Sequence, residues 1–175
     1  DADSDGLGDL CDACSDFDNS TITSCPATVY DIRDGTSALG SEVFIEEVIV
    51  TAATADAFFV QVPQTASYYT GLPNSGLYVY SGGSGPAPPQ VGDIVTVTGT
   101  TDIFGDALEL VATAVTVTSA GNPLPEFTVV DPAVVATGGA RVDELQGTLV
   151  RVRDVVVTNA NPDGPANDYN EFAVT

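Results

Sequence analysis

At 175 residues, 43% of them hydrophobic, the chain can bury one packed core with appendages and is too apolar to stay disordered. Its formal charge of −21, from 25 acids against four arginines with no lysine or histidine, excludes nucleic acid and anionic lipid as partners, because phosphate recognition needs clustered cations. No apolar run reaches membrane-spanning length, and the sequence, which opens without Met or a signal peptide, reads as a processed or partial chain.

The opening stretch is Asp1-Ala2-Asp3-Ser4-Asp5-Gly6-Leu7-Gly8-Asp9-Leu10-Cys11-Asp12-Ala13-Cys14. Asp1, Asp3, Asp5, Asp9 and Asp12 stand at the side-chain ligand positions of a calcium loop, and Gly6 stands where such a loop turns sharply. A hard cation needs several converging oxygens, which alternate side chains of a tight loop supply. A solvated acidic linker is the alternative. Two features depart from the helix-flanked calcium loop: Asp12 replaces a longer Glu, and the residues after it lack helical periodicity.

The run D-x-D-x-D-G-x-G-D-x-C-D-x-C resembles a thrombospondin type 3 repeat, a calcium-filled, disulfide-stapled linker, over roughly residues 1–25. The resemblance implies Ca2+ held by Asp1, Asp3, Asp5, Asp9 and Asp12 with the Leu7 carbonyl. Asp16 and Asp18 could begin a second, incomplete site. Three cysteines beside such a loop suggest an oxidising, extracellular or cell-surface location. Cys14–Cys25 is the preferred bridge and Cys11–Cys25 the alternative; the odd cysteine implies a missing partner. Zinc on Cys11, Cys14 and Cys25 would lack a fourth Cys or His ligand. Asn19-Ser20-Thr21 is an N-glycosylation sequon.

From Val29 onward, short β-branched runs separated by Gly, Pro, Asn and Asp predict an all-β fold. The expected strands are residues 43–51, 57–62, 76–80, 93–100 and 107–118. In the first, Glu46-Glu47 interrupts an apolar alternation, which predicts a β-bulge. Residues 81–90, with Pro86, Pro88 and Pro89, read as a loop. Five strands with a bent first strand resemble an OB-fold barrel. Gly-Leu-Tyr-Val-Tyr, Val-Gly-Asp-Ile-Val-Thr-Val-Thr-Gly and Phe-Gly-Asp-Ala-Leu-Glu-Leu look like OB-type domains of secreted bacterial proteins, which often accompany extracellular endonucleases. An immunoglobulin-like sandwich is the competing fold.

Asp131-Pro132 has the form of a helix start and Gly138-Gly139 of a stop, with a further turn expected over 141–145. The chain then repeats itself: Ile45-Glu46-Glu47-Val48-Ile49-Val50-Thr51 is answered by Val152-Arg153-Asp154-Val155-Val156-Val157-Thr158, a spacing of 107 residues (45 to 152), and Phe59 by Phe172. The expected organisation is a calcium-binding linker (1–28), a five-stranded OB-like barrel (29–119), a connector with a short helix (120–145) and the first two strands of a partial second OB-like unit (146–175). Such a strand pair needs a cover from its own domain or from a neighbour.

Catalytic machinery is not expected. There is no His or Lys to act as base, and the paired carboxylates Glu46/Glu47 and Asp106/Glu109 read more simply as solvated acids than as glycosidase pairs. Tyr68, Tyr69, Tyr78 and Tyr80 are candidates to stack on sugars. The expected function is a structural, calcium-stabilised subunit that assembles head to tail into a filament or surface stalk. The alternative is a non-catalytic carbohydrate-binding or accessory module of a larger secreted enzyme, such as a nuclease.

Overall fold

The computed structural model describes residues 2–4, 6, 14–18, 20, 24–166 and 172–175. It is mostly β, with three short helices among the described residues. The chain forms two compact units, one of Asp1–Glu126 with Glu144–Leu149, the other of Phe127–Asp143 with Val150–Thr175.

The first unit begins with β1 (Cys25–Pro26), which runs parallel to the start of a later strand. The all-β pattern read from Val29 onward places its first strand at residue 43 and no helix before it, yet Val29–Asp34 form a helix, α1. Local chemistry explains the difference. Thr28 Oγ1 accepts from the Asp31 N–H at 3.1 Å, while Asp31 Oδ2 accepts from the Thr28 N–H at 2.8 Å. This reciprocal cap satisfies donors that a helix start leaves open. Val29 and Ile32 share the buried face, and Gly35, at φ 85°, ends the helix in the left-handed conformation.

Five strands follow: β2 (Glu42–Ala53), β3 (Ala57–Gln61), β4 (Gly76–Tyr80), β5 (Ile94–Phe104) and β6 (Ala107–Ser119). With β1 they make a six-stranded sheet in the order β1-β2-β3-β4-β6-β5, and β2 also pairs with β5. The β4–β6 pairing is parallel; those of β2 with β3 and β5, of β3 with β4 and of β5 with β6 are antiparallel. The strand β2 serves two neighbours because it bends. Ile45 faces Val97 and Val48 faces Val95, so β2 carries one extra residue there, with Glu47 at φ 54°. Val43 and Ile45 are buried before the bulge, and Val48 and Val50 after it. The extra residue changes the parity of the inward positions while keeping them on one core. That core is completed by Phe58, Val60, Leu77, Val79, Val95, Val97 and Leu110.

Residues 144–149 are strapped onto this unit. The Asn74 N–H donates to the Glu144 carbonyl at 2.6 Å, and the Leu149 N–H to Gln61 Oε1 at 2.9 Å. Gly147 lies so close to Gly76 that a Cβ on Gly76 would sit 2.3 Å from the Gly147 carbonyl carbon.

The second unit contains β7 (Thr128–Val129), α2 (Pro132–Val135), β8 (Val150–Arg151), β9 (Val157–Asn159) and β10 (Ala173–Val174). A further short helix, α3 (Val142–Leu145), is divided between the two units. Asp131 caps α2 by accepting the Ala133 N–H at 2.9 Å, with Pro132 at the first turn. Here the expected continuous strand over 152–158 is shortened to β9, because no β5-like ladder is formed along it among the described residues.

The two units share a backbone pattern. Cys25 and Pro26 pair in parallel with Val43 and Phe44; Thr128 and Val129 pair in parallel with Val150 and Arg151. The Ala27 N–H donates to the Phe44 carbonyl at 2.9 Å, and the Val130 N–H to the Arg151 carbonyl at 3.0 Å. A capped helix follows in each. Glu47, at φ 54°, is answered by Asp154, at φ 56°. Thr51 is the extra residue opposite β3, with its Oγ1 3.4 Å from the Phe59 carbonyl; Thr158 is the extra residue opposite β10, with its Oγ1 3.4 Å from the Ala173 carbonyl. The register therefore aligns Ala173 with Phe59, and Phe172 with Phe58. The sequence match of Phe172 to Phe59 is off by one residue, because gap placement is invisible without the ladder.

Candidate functional site

The acidic loop is the first candidate. Of its expected ligands, Asp1, Asp5, Leu7, Asp9 and Asp12 lie outside the described residues, as do Cys11 and the sequon residue Asn19. Asp3 is half-buried, and Ser4 (φ 66°) and Gly6 (φ 94°) both have left-handed backbone. The donor set is all oxygen and suits a hard cation. Among the described residues no group of three or more Cys, Asp or Glu could hold a metal. Cys14 is joined to Cys25, with Cα atoms 5.4 Å apart, one of the two pairings open from the sequence. Phe17 then packs on Phe44, ring centroids 5.9 Å apart, so residues 14–18 are anchored to the start of β2. Asp18 Oδ1 accepts from both the Ser20 N–H and hydroxyl, which holds its carboxyl below the usual carboxylate range.

The second candidate is a row across the outer face of four strands. Phe59 faces Tyr78, Tyr78 faces Glu109 and Glu109 faces Asp102 in consecutive registers. The Phe59 and Tyr78 rings meet edge to face at 5.2 Å. Glu109 is buried, and burial, then the charge of Asp102, raises its carboxyl above the ordinary value. Burial raises the Tyr78 phenol too, followed by the charge of Glu109. The sequence pairs Glu109 with Asp106, but Asp106 is exposed at the β5–β6 turn and the carboxylate beside Glu109 is Asp102. Asp102 and Phe59 are the members of this row that sequence reasoning misses. Only strand register reveals them, since nothing local marks either. Tyr80 is exposed on the next row out, with its ring against Gly82, where a Cβ would meet the hydroxyl at 2.6 Å.

Tyr68 is placed elsewhere. Its hydroxyl donates to the Glu46 carbonyl, and the Ser67 N–H donates to Glu47 Oε2 at 2.8 Å. The Glu46/Glu47 pair is thus the clamped bulge of β2, and Tyr68 helps to hold it. The Tyr30 ring meets Tyr68 edge-on at 6.5 Å, and the Tyr30 hydroxyl donates to the Gly71 carbonyl at 2.7 Å. Tyr69 is half-buried beside the core. Of the four candidate tyrosines, only Tyr78 and Tyr80 share a strand face with carboxylates, and that face offers ring edges and acid oxygens, groups able to contact sugar hydroxyls.

No helix among the described residues is long and apolar enough to cross a membrane. In comparison with known proteins, the sequence matches no family model and no curated protein.

Proposed function

We propose that this chain is an extracellular structural protein, a calcium-stabilised tandem of OB-like β-units that assembles head to tail into a filament or surface stalk. The observation that carries this reading is the repetition of strand, capped helix and bulged strand in the two units, down to left-handed Glu47 and Asp154. Tandem β-units joined by short connectors make extended arrays, and head-to-tail contacts between such arrays leave open filaments. The circuit of pairings from β2 through β3, β4, β6 and β5 back to β2, with β4 and β6 parallel, supports an OB-like five-stranded barrel for the first unit. The disulfide supports the oxidising location.

In this reading the thrombospondin type 3-like segment holds Ca2+ through Asp1, Asp3, Asp5, Asp9, Asp12 and the Leu7 carbonyl. The ion offsets part of the repulsion among the seven aspartates of residues 1–18. The role is structural and non-catalytic. The test is chelation: EGTA loosens or disassembles the polymer, seen by electron microscopy, and lowers the melting temperature. Unchanged filaments and unchanged melting after full calcium removal would sink the reading.

The Phe59–Tyr78–Glu109–Asp102 row favours a second reading, a carbohydrate-binding module of a larger secreted enzyme such as a nuclease. Binding to a glycan panel that is lost in Tyr78→Ala or Tyr80→Ala supports it; no binding to any glycan removes it.

A further inference from the structure

We infer that the groove between the end of α1 and the β5–β6 hairpin docks a cationic polypeptide segment. That segment seats an apolar side chain among Ile32, Leu39, Ile103 and Leu108 and sets its own Arg or Lys side chains against Asp34, Asp102 and Asp106. Strand alternation builds the apolar part. Val95, Val97 and Thr101 are buried at the inward positions of β5, and Ile103 continues that series past the end of the core, opposite Leu108 on β6. Ile32, on the buried face of α1, lines the groove beside them. Leu39 comes from the loop after α1, and that loop is pinned to β5. Thr101 Oγ1 donates to the Ala38 carbonyl at 2.7 Å, and the Gly40 N–H donates to the Thr101 carbonyl at 2.9 Å.

The groove has a volume of about 390 Å³. Leu39 is 59% and Ile103 48% exposed, so two large apolar side chains stand at its mouth, held in place by a pinned loop and a paired strand. Clustered, exposed apolar side chains beside a preformed hollow mark an interaction site. An open groove of this kind takes single side chains of a polypeptide, whereas a small-molecule site encloses most of its ligand.

The charges around the groove name the occupant. Asp34 lines it, with Oδ1 accepting the Thr36 N–H at 2.9 Å. Asp102 accepts the N–H of Ile103 at 2.8 Å, and Asp106 lies in the hairpin turn between Ile103 and Leu108. All three carboxylates are exposed. Arg33, which also lines the groove, donates from Nη1 to Gln146 Oε1 at 2.7 Å. An apolar hollow rimmed by three carboxylates selects a segment with positive charge around its anchor, because complementary rim charges steer the encounter and fix its register. A second copy of this chain would bring a formal charge of −21 to the same rim, so the occupant is a basic segment of another polypeptide. The inference rests on this groove and its charges, independently of calcium and of a filament.

The test uses the 175-residue protein at low salt with the labelled synthetic peptide Arg-Arg-Leu-Phe-Arg-Arg as the probe. Saturable binding is expected, weakened by high salt, with NMR shift changes centred on Leu39, Ile103 and Leu108. Replacing Leu-Phe in the peptide by Ser-Ser should weaken binding at least about tenfold, because the buried anchor is lost. Replacing the four arginines by glutamates should abolish it. These changes leave the folding of the protein untouched. In the protein, Ile103→Ser should bind the probe about tenfold more weakly, whereas Val91→Ser, an equally exposed valine outside the groove, should bind as the parent does. Absence of saturable binding, equal binding of the Ser-Ser peptide, shift changes centred elsewhere or unaltered binding by Ile103→Ser would each overturn the inference. So would a dimer that Leu39→Ser or Ile103→Ser dissolves, since the groove would then belong to a second copy.

Discussion

The Tyr68 hydroxyl donates to the backbone carbonyl of Glu46, which is the residue at which β2 begins to slip its register against β5. A tyrosine that sequence reasoning offers as a sugar-stacking ring is therefore a brace on the bend that lets one strand pair with two neighbours. Its phenol is raised well above the ordinary value, first by burial and then by the Glu47 charge.

Two consequences follow for Tyr68→Phe. At neutral pH the loss of the hydrogen bond should cost about 1 kcal/mol in urea unfolding. At high pH the sign is set by linkage: the folded state resists ionisation, so this contribution is intact below the unfolded value of about 10 and is lost as pH rises beyond it. Wild-type stability should fall between pH 9 and 11.5 more steeply than that of Tyr68→Phe. Parallel slopes would refute the assignment.

Glu109 makes the opposite kind of prediction. Buried beside Asp102, its carboxyl is raised, so the folded state favours the protonated form and the ionised form is a burden. That favourable contribution is present below the unfolded value of about 4.3 and disappears as pH rises through the folded one. Glu109→Gln should therefore raise the melting temperature at pH 7, with the gain vanishing below about pH 4. A variant that is equally or less stable at pH 7 would show that the carboxylate has a favourable partner.

Gly76→Ala tests the strap of residues 144–149. The new methyl would lie 2.3 Å from the Gly147 carbonyl carbon and 2.5 Å from the Thr148 nitrogen, which are backbone atoms with no rotamer to yield. Overpacking of this kind costs about 1–3 kcal/mol. Hydrogen exchange at Leu149, whose N–H donates to Gln61 Oε1, should rise in the same variant.

The repeat predicts an asymmetry between twin phenylalanines. Phe58→Ala should cost about 3–5 kcal/mol, since the side chain is fully buried in the core. Phe172→Ala should stay within about 0.5 kcal/mol in the same chain, since its ring is 64% exposed. Thermal or urea unfolding of the two variants side by side measures both.

Cleavage of Cys14–Cys25, eleven residues apart in sequence, should remove about 2–3 kcal/mol of ordering from the segment it closes. The effect should be local. Under dithiothreitol, amide exchange should accelerate at Ala27, which donates to Phe44 beside β1, while the β5–β6 ladder keeps its protection.

Local chemistry is legible in the order of the residues alone. Alternating valines and threonines placed β5, Glu46-Glu47 marked the bulge, and Asp131-Pro132 marked a helix start. These signals are local because side-chain period, capping oxygens and turn residues act within a few positions. The helix over Val29–Asp34 was also written locally, in the Thr28 and Asp31 cap, but β-branched neighbours masked it. Which residues meet was set by the folded chain. It set Asp102 rather than Asp106 beside Glu109, turned Tyr68 onto Glu46, closed Gly147 onto Gly76, and aligned Phe172 with Phe58. Each of these depends on strand register and chain return over long separations, which no short window of sequence contains.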